Sequence, residues 1–166
     1  MSERGIILKS EQVLAFLNGA TQLRAPVNPQ PPDDIVTLCS TGYGIESEDR
    51  QWKSPFGVPG DTVAIKESED SAVSIVRTVK RVWVERVFDI SPGDCIASIG
   101  DIPGSSDYAG DPNEHPWDYY NRCFESPFIE YWDKTWGNPK LPLDQEDPML
   151  YESSPWAWCC EFEKKP

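Results

Sequence analysis

Sixteen prolines and eleven glycines spread through 166 residues leave few windows in which a long helix can run. Proline fixes φ, donates no backbone hydrogen bond and restricts the residue before it. A chain punctuated this often suits short strands joined by long loops and argues against a helical bundle. Its length fits one domain, 1–166, with enough chain to bury a core without metals or crosslinks. Seven Trp, six Tyr and six Phe supply bulky burial from few residues, so the chain is expected to fold although 26% of it is charged.

The formal net charge of −13 disfavours general affinity for phosphate backbones, which draws on Lys and Arg displacing counterions, and no general duplex DNA binding is expected. The charge is uneven: residues 1–100 hold 14 acids against 10 bases, and residues 101–166 hold 14 against 5. An anion-binding surface therefore belongs to the first part. The acidic second part reads as a solvated face, or as a patch that meets a basic protein. Cys39, Cys95, Cys123, Cys159 and Cys160 show no C-x-x-C spacing and accompany a single histidine, His115. A metal site has little support on that basis, and no cofactor is expected. The odd cysteine count, the opening MSERGIILKSE without an apolar h-region, and the lack of any run near 18 apolar residues lead to the expectation of a cytoplasmic protein that does not enter membranes.

GIILKS reads as a short strand, and Ser10 as the N-cap of a two-turn helix with Val13, Leu14, Phe16 and Leu17 on its apolar side, stopped by Asn18 and Gly19. IVTLCS reads as a strand and GYGIESEDR as a turn-rich connection with little core content. Pro55, Gly57, Pro59 and Gly60 form a turn system before the strand DTVAIKE, in which Val63 and Ile65 share a face. SIVRTVKRVWVERVFDIS is a long β run with room for a bend, and SPGDCIASIG a short helix capped by Ser91. Tyr120, Phe124, Phe128, Trp132 and Trp136 keep helical spacing, interrupted at Pro127 and ended by Gly137. PWAWCCEFE closes the chain as a strand, with Trp156, Trp158, Cys160 and Phe162 alternating against Ala157, Cys159, Glu161 and Glu163. The adjacent Cys159 and Cys160 then face opposite ways, a poor geometry for a disulfide.

This order of helix, GATQLRA turn, Pro-rich loop, P-x-G-x-P-G-D turn, strand ending in Glu, and terminal W-x-W-x-x-E-F strand resembles the ASCH family, in a version common in phages and prophages. That family is a branch of the PUA-like β-barrel superfamily. The resemblance spans nearly the whole chain and rests on the order of the motifs more than on any one. It implies an α+β fold: a small, twisted PUA-like β-barrel of five or six strands with flanking helices, the first helix and an aromatic one near 119–136. A ligand cleft is expected between the 19–24 turn and the end of the 61–67 strand.

In the family, a G-x-K-T-x-T-R-R-like element after the first helix lines that cleft. GATQLRA matches it at Gly19, Thr21 and Arg24 and lacks the lysine. In amidohydrolase-like members, which remove acyl groups from modified cytidine, the lysine, a threonine and a downstream glutamate react. The resemblance carries over Thr21 and Glu67 as catalytic candidates. A threonine hydroxyl needs a base to become a nucleophile, and Arg24 or Lys66 would have to supply the missing positive group, although Lys66 alternates away from Glu67 on a strand. Arg24 also reads as a helix-end residue satisfying free carbonyls. Trp83 and Arg86 form a candidate stacking and phosphate pair, with Trp83 alternatively in the core. The leading expectation is a binding module for a nucleotide, modified base or short single-stranded RNA, with Arg24, Lys66, Trp83 and Arg86 as ligand contacts. The alternatives are an amidohydrolase or nuclease using Thr21 and Glu67, and a phage accessory factor that binds a host protein through its acidic face.

Overall fold

The β-branched run after residue 74 forms one twelve-residue strand, Ile75–Arg86, and the other long strands are arranged along it in the computed structural model. The structure describes residues 4–31, 37–38, 44–47, 50–72, 74–100 and 125–164, so Cys39, His115, Tyr120, Cys123 and Phe124 lie outside the described residues. In chain order the elements are β1 (Arg4–Ile7), α1 (Ser10–Leu17), β2 (Gln22–Pro26), β3 (Thr37–Leu38), β4 (Gly44–Ser47), β5 (Arg50–Lys53), β6 (Thr62–Lys66), β7 (Ile75–Arg86), α2 (Pro92–Ile99), α3 (Ser126–Trp136) and β8 (Trp156–Phe162).

The fold is α+β. The main sheet has the order β1-β6-β7-β8-β2, with β1 parallel to β6 and every other pair antiparallel. β6 pairs with residues 75–78 of β7 and β8 with residues 79–86, and the register breaks between Val79 and Arg81. This bulge leaves Lys80 as the extra residue, and such an insertion bends its strand. The two halves of the sheet therefore turn around one core, in which Leu23, Val63, Ile65, Val79, Trp158 and Phe162 are buried. Among the described residues the expected barrel does not close: β1 and β2 end the sheet, and the outer side of β2 is met by α2, where the Thr21 N–H donates to the Ala97 carbonyl at 2.8 Å.

β8 alternates as the sequence pattern requires. Trp158, Cys160 and Phe162 enter the first core, while Ala157 and Cys159 enter a second core on the other face with Val87, Cys95, Phe128 and Trp132. The two adjacent thiols thus lie in different cores. α3 begins at Ser126 with Pro127 in its first turn, so that proline starts the described helix where an interruption was expected. GYGIESEDR is also more than a connection: β4 and β5 pair as a hairpin, and Trp52 is buried in the first core.

Two local expectations change in α1. Lys9 is the N-cap, its N–H donating to Gln12 Oε1 at 3.2 Å, and Ser10 is the first helical residue. Leu14 and Leu17 are exposed, at 58% and 70%, because the inward face is Gln12, Ala15 and Phe16. Gln12 occupies an inward position because its side-chain amide donates to the Arg24 carbonyl at 3.3 Å. Gly19, at φ 95°, ends the helix as expected.

Among the described residues no helix is long and apolar enough to cross a membrane. Gly100 ends α2 at φ 75°, and a Cβ there would lie 2.6 Å from the Asn18 carbonyl oxygen and 2.8 Å from that of Ala15. Gly100→Ala is expected to cost about 2–4 kcal/mol in urea unfolding, combining the strain of a positive-φ conformation that only glycine adopts readily with a backbone clash. Gly93→Ala, in a helical position with open space around it, is expected to stabilise by about 0.5–1 kcal/mol. Equal effects of the two substitutions would contradict this packing of α2 on α1.

Candidate ligand-binding site

β2, β8 and β7 place their residues in cross-strand rows. Gln22, Glu161 and Arg81 are opposite one another, then Arg24, Cys159 and Trp83, then Pro26, Ala157 and Glu85. Because side chains two apart share a face, this alternation puts all three rows on the side covered by α2. Arg24 lies at the centre and is 1% exposed. Its Nε donates to the Ser98 hydroxyl at 3.2 Å, Nη1 pairs with Glu85 and donates to Cys159 Sγ at 3.0 Å, and Nη2 donates to Gln22 Oε1 at 3.3 Å and lies 3.8 Å from Asp94. A guanidinium has five N–H donors; four of these partners accept hydrogen bonds from it, and Asp94 adds a longer ion pair.

Asp94 stands in the first turn of α2, where Ser91 caps the helix by accepting the Asp94 N–H at 3.2 Å. Burial by itself would raise the Asp94 pKa. Hydrogen bonds from Gln22 and Ser91 and the charges of Arg24 and Arg81 outweigh it and hold the carboxyl below its ordinary value. Burial pushes the Cys95 and Cys160 thiols up to about 12 and raises Cys159 as well, although Arg24 pulls against it at Cys95 and Cys159. These thiols are protonated at neutral pH and are not nucleophiles.

The bulge in β7 builds the more open part of this face. Adjacent residues in a regular strand point to opposite sides, yet Lys80 and Arg81 reach the same carboxylate: Lys80 Nζ is 2.7 Å and Arg81 Nε 3.3 Å from Glu161. Both cations remain more than half exposed. Arg81 lies over the Trp83 ring at 4.1 Å, and Arg24 is 5.5 Å from that ring. Beside this cluster Thr21, Lys80, Glu161, Phe162, Glu163 and Lys164 line a pocket of about 340 Å³. Within the described residues the Thr21 hydroxyl makes no hydrogen bond and Lys164 no ion pair.

The sequence candidates are distributed as follows. Thr21 lies in this pocket, past the C-terminal end of α1. Glu67 lies at the opposite end of that helix, exposed, with the Ser10 hydroxyl 3.5 Å away. Eight helical residues, about 12 Å, separate the two regions, and no hydrogen bond or ion pair joins Thr21 to Glu67 among the described residues. Lys66 is the half-buried last residue of β6. Arg24 lies within a strand instead of a helix-end turn, buried, with four of its donors hydrogen-bonded inside the protein. Trp83 and Arg86 fall on opposite faces of β7: Trp83 packs against the second core, while Arg86 stacks on Trp156 at 4.6 Å and donates to the Ser154 carbonyl at 2.9 Å. Lys80, Arg81 and Glu161 were missed. The signal available for them was the cationic composition of the β7 segment, in which Arg77, Lys80, Arg81 and Arg86 stand against one acid, Glu85.

A larger concavity of about 680 Å³ lies along residues 133–152, and its carboxylates, Asp133, Asp144, Glu146, Asp147 and Glu152, repel anionic ligands. Among the described residues no group of three or more His, Cys, Asp and Glu is placed to hold a metal ion. Comparison with protein-family models, curated proteins and solved structures finds no match for this chain.

Removing one member of a buried charge cluster leaves the others uncompensated. Arg24→Lys is expected to lose roughly 2–4 kcal/mol in urea unfolding, because an ammonium supplies three donors where four donors of a planar fork are used. The depressed Asp94 pKa stabilises the fold above the unfolded-state value near 3.8, and that stability is lost as pH falls through the folded value. Asp94→Asn should therefore flatten the acid limb of a stability profile below about pH 4. An unchanged limb would remove Asp94 from the account.

Proposed function

We propose that this protein is an ASCH-type, PUA-like binding module for a nucleotide, modified base or short single-stranded RNA, acting in the cytoplasm of a phage or prophage host. In this reading the bent main sheet is an open counterpart of the family's barrel. One observation carries the proposal: a chain of net charge −13 collects four cations along β7, and the bulge turns Lys80 and Arg81 to one side of the sheet beside a pocket large enough for a nucleobase or sugar. A local basic patch of this kind is what an acidic protein needs to hold a phosphorylated ligand. The Arg81–Trp83 stack adds a planar, partly exposed surface next to it.

A second reading follows from the side chains around Thr21. The lysine absent from GATQLRA has a counterpart in Lys80 from β7, with Glu161 from β8 as the acid or base; Glu67 takes no part. An amidohydrolase acting on acylated cytidine would use Thr21 as nucleophile and Lys80 to stabilise the oxyanion.

Calorimetric titration with nucleosides, N-acylated cytidines and short RNAs tests both readings. The Lys80→Ala/Arg81→Ala double variant is expected to bind at least tenfold more weakly, the loss of two charge-assisted hydrogen bonds. Release of the acyl group in the same tubes, abolished by Thr21→Ala, would favour hydrolysis. Binding that survives the double variant and disappears in Glu67→Ala would move the site to the end of β6 and contradict the proposal.

A further inference from the structure

The pocket beside Thr21 brings its own anion. Glu161 takes Lys80 at 2.7 Å and Arg81 at 3.3 Å, although both cations are more than half exposed and such pairs contribute little to stability. The fold does not depend on this pairing as it depends on the buried Arg24 cluster. The same pocket is lined by two donors without partners among the described residues, the Thr21 hydroxyl and the Lys164 ammonium. Lys80, Lys164 and Thr21 thus line the pocket together with Glu161, and Arg81 reaches the same carboxylate from beside it. Glu163 also lines the pocket and opposes an incoming anion, with Lys164 beside it in sequence to offset that charge.

We propose that this pocket is a subsite for a terminal phosphate, with Glu161 as the internal anion that the phosphate displaces from Lys80 and Arg81. The proposal rests on the reading of the pocket as a nucleotide site and adds which end of the ligand it takes. A phosphomonoester carries nearly two charges at neutral pH and more acceptor oxygens than a carboxylate, so it engages Lys80, Arg81, Lys164 and the Thr21 hydroxyl together where Glu161 engages two. Displaced, Glu161 is already partly exposed, at 22%, and turns toward water. Competition of this kind makes the site selective: a neutral nucleoside or an internal phosphodiester, with at most one charge, exchanges poorly with the resident carboxylate.

The test titrates inorganic phosphate, a 5′-phosphorylated tetraribonucleotide and its 5′-hydroxyl counterpart into the wild-type chain and into Glu161→Gln, Lys80→Ala and Lys164→Ala, with thermal unfolding recorded for each. Wild type is expected to prefer the phosphorylated oligomer by about tenfold. Glu161→Gln should tighten phosphate binding by about threefold or more, because it removes the competitor without emptying the position. Lys80→Ala should erase the preference, and Lys164→Ala, at an exposed position outside the strands, should reduce it without loss of fold. Equal binding of the two oligomers would overturn the phosphate subsite and leave the nucleotide reading standing. A phosphorylated oligomer that binds no tighter than inorganic phosphate, with no binding of the 5′-hydroxyl oligomer, would support the subsite and overturn the nucleotide reading. Weaker phosphate binding in Glu161→Gln would overturn the role given to Glu161, and no binding of any of the three would overturn both proposals.

Discussion

A single guanidinium, that of Arg24, holds the second face of the sheet together. A buried charge is tolerated only when it is paired and hydrogen-bonded, and Arg24 meets that condition by drawing groups from β2, β7, β8 and α2 to one point. Glu85 ties β7 to β2 across β8, while Ser98 and Asp94 tie α2 to the same point, and its cap residue Ser91 also binds Asp94. The apolar contacts of the second core, Cys95 and Phe128 among them, lie where this polar frame leaves room. Hydrophobic burial supplies most of the stabilisation, and the charge cluster selects one arrangement of α2 on the sheet.

The bulge in β7 decides what the exposed part of that face can do. Without it Lys80 and Arg81 would point to opposite sides of the sheet; with it they share Glu161 and flank the Thr21 pocket. The same inserted residue bends the sheet so that β6 and β8 enclose the first core from two directions. Shape and charge therefore arise from one local irregularity, and the acidic character of the whole chain does not extend to this strand.

Much of the scaffold was legible because it rests on local rules. The period-two alternation of Trp156 to Phe162, the valines and isoleucines of β6 and β7, the glycine that stops α1 and the serine that caps α2 all read directly into structure. What failed depended on distant partners. QLRAP carries few strand-forming residues and follows a helix stop, so Arg24 read as part of a cap; pairing with β8 makes it a strand. Leu14 and Leu17 suit an inward face by composition, but Gln12 takes that face because its partner is the backbone of Arg24, twelve residues away. The β7 bulge has no glycine to announce it, and the meeting of Lys80 with Glu161 spans 81 residues. Thr21 and Glu67 fit the order of the ASCH motifs in one dimension while lying at the two ends of α1 in three.

The most direct measurement is a double-mutant cycle on Arg24 and Glu85, using Arg24→Met, Glu85→Gln and the combined variant in urea unfolding. Arg24 acting as the internal tie of the fold predicts a coupling of about 1.5–3 kcal/mol, with each single variant strongly destabilised and the double variant far better than their sum. Additive losses, within about 0.5 kcal/mol, would mean that the two charges do not support each other, and the frame built here around Arg24 would be wrong.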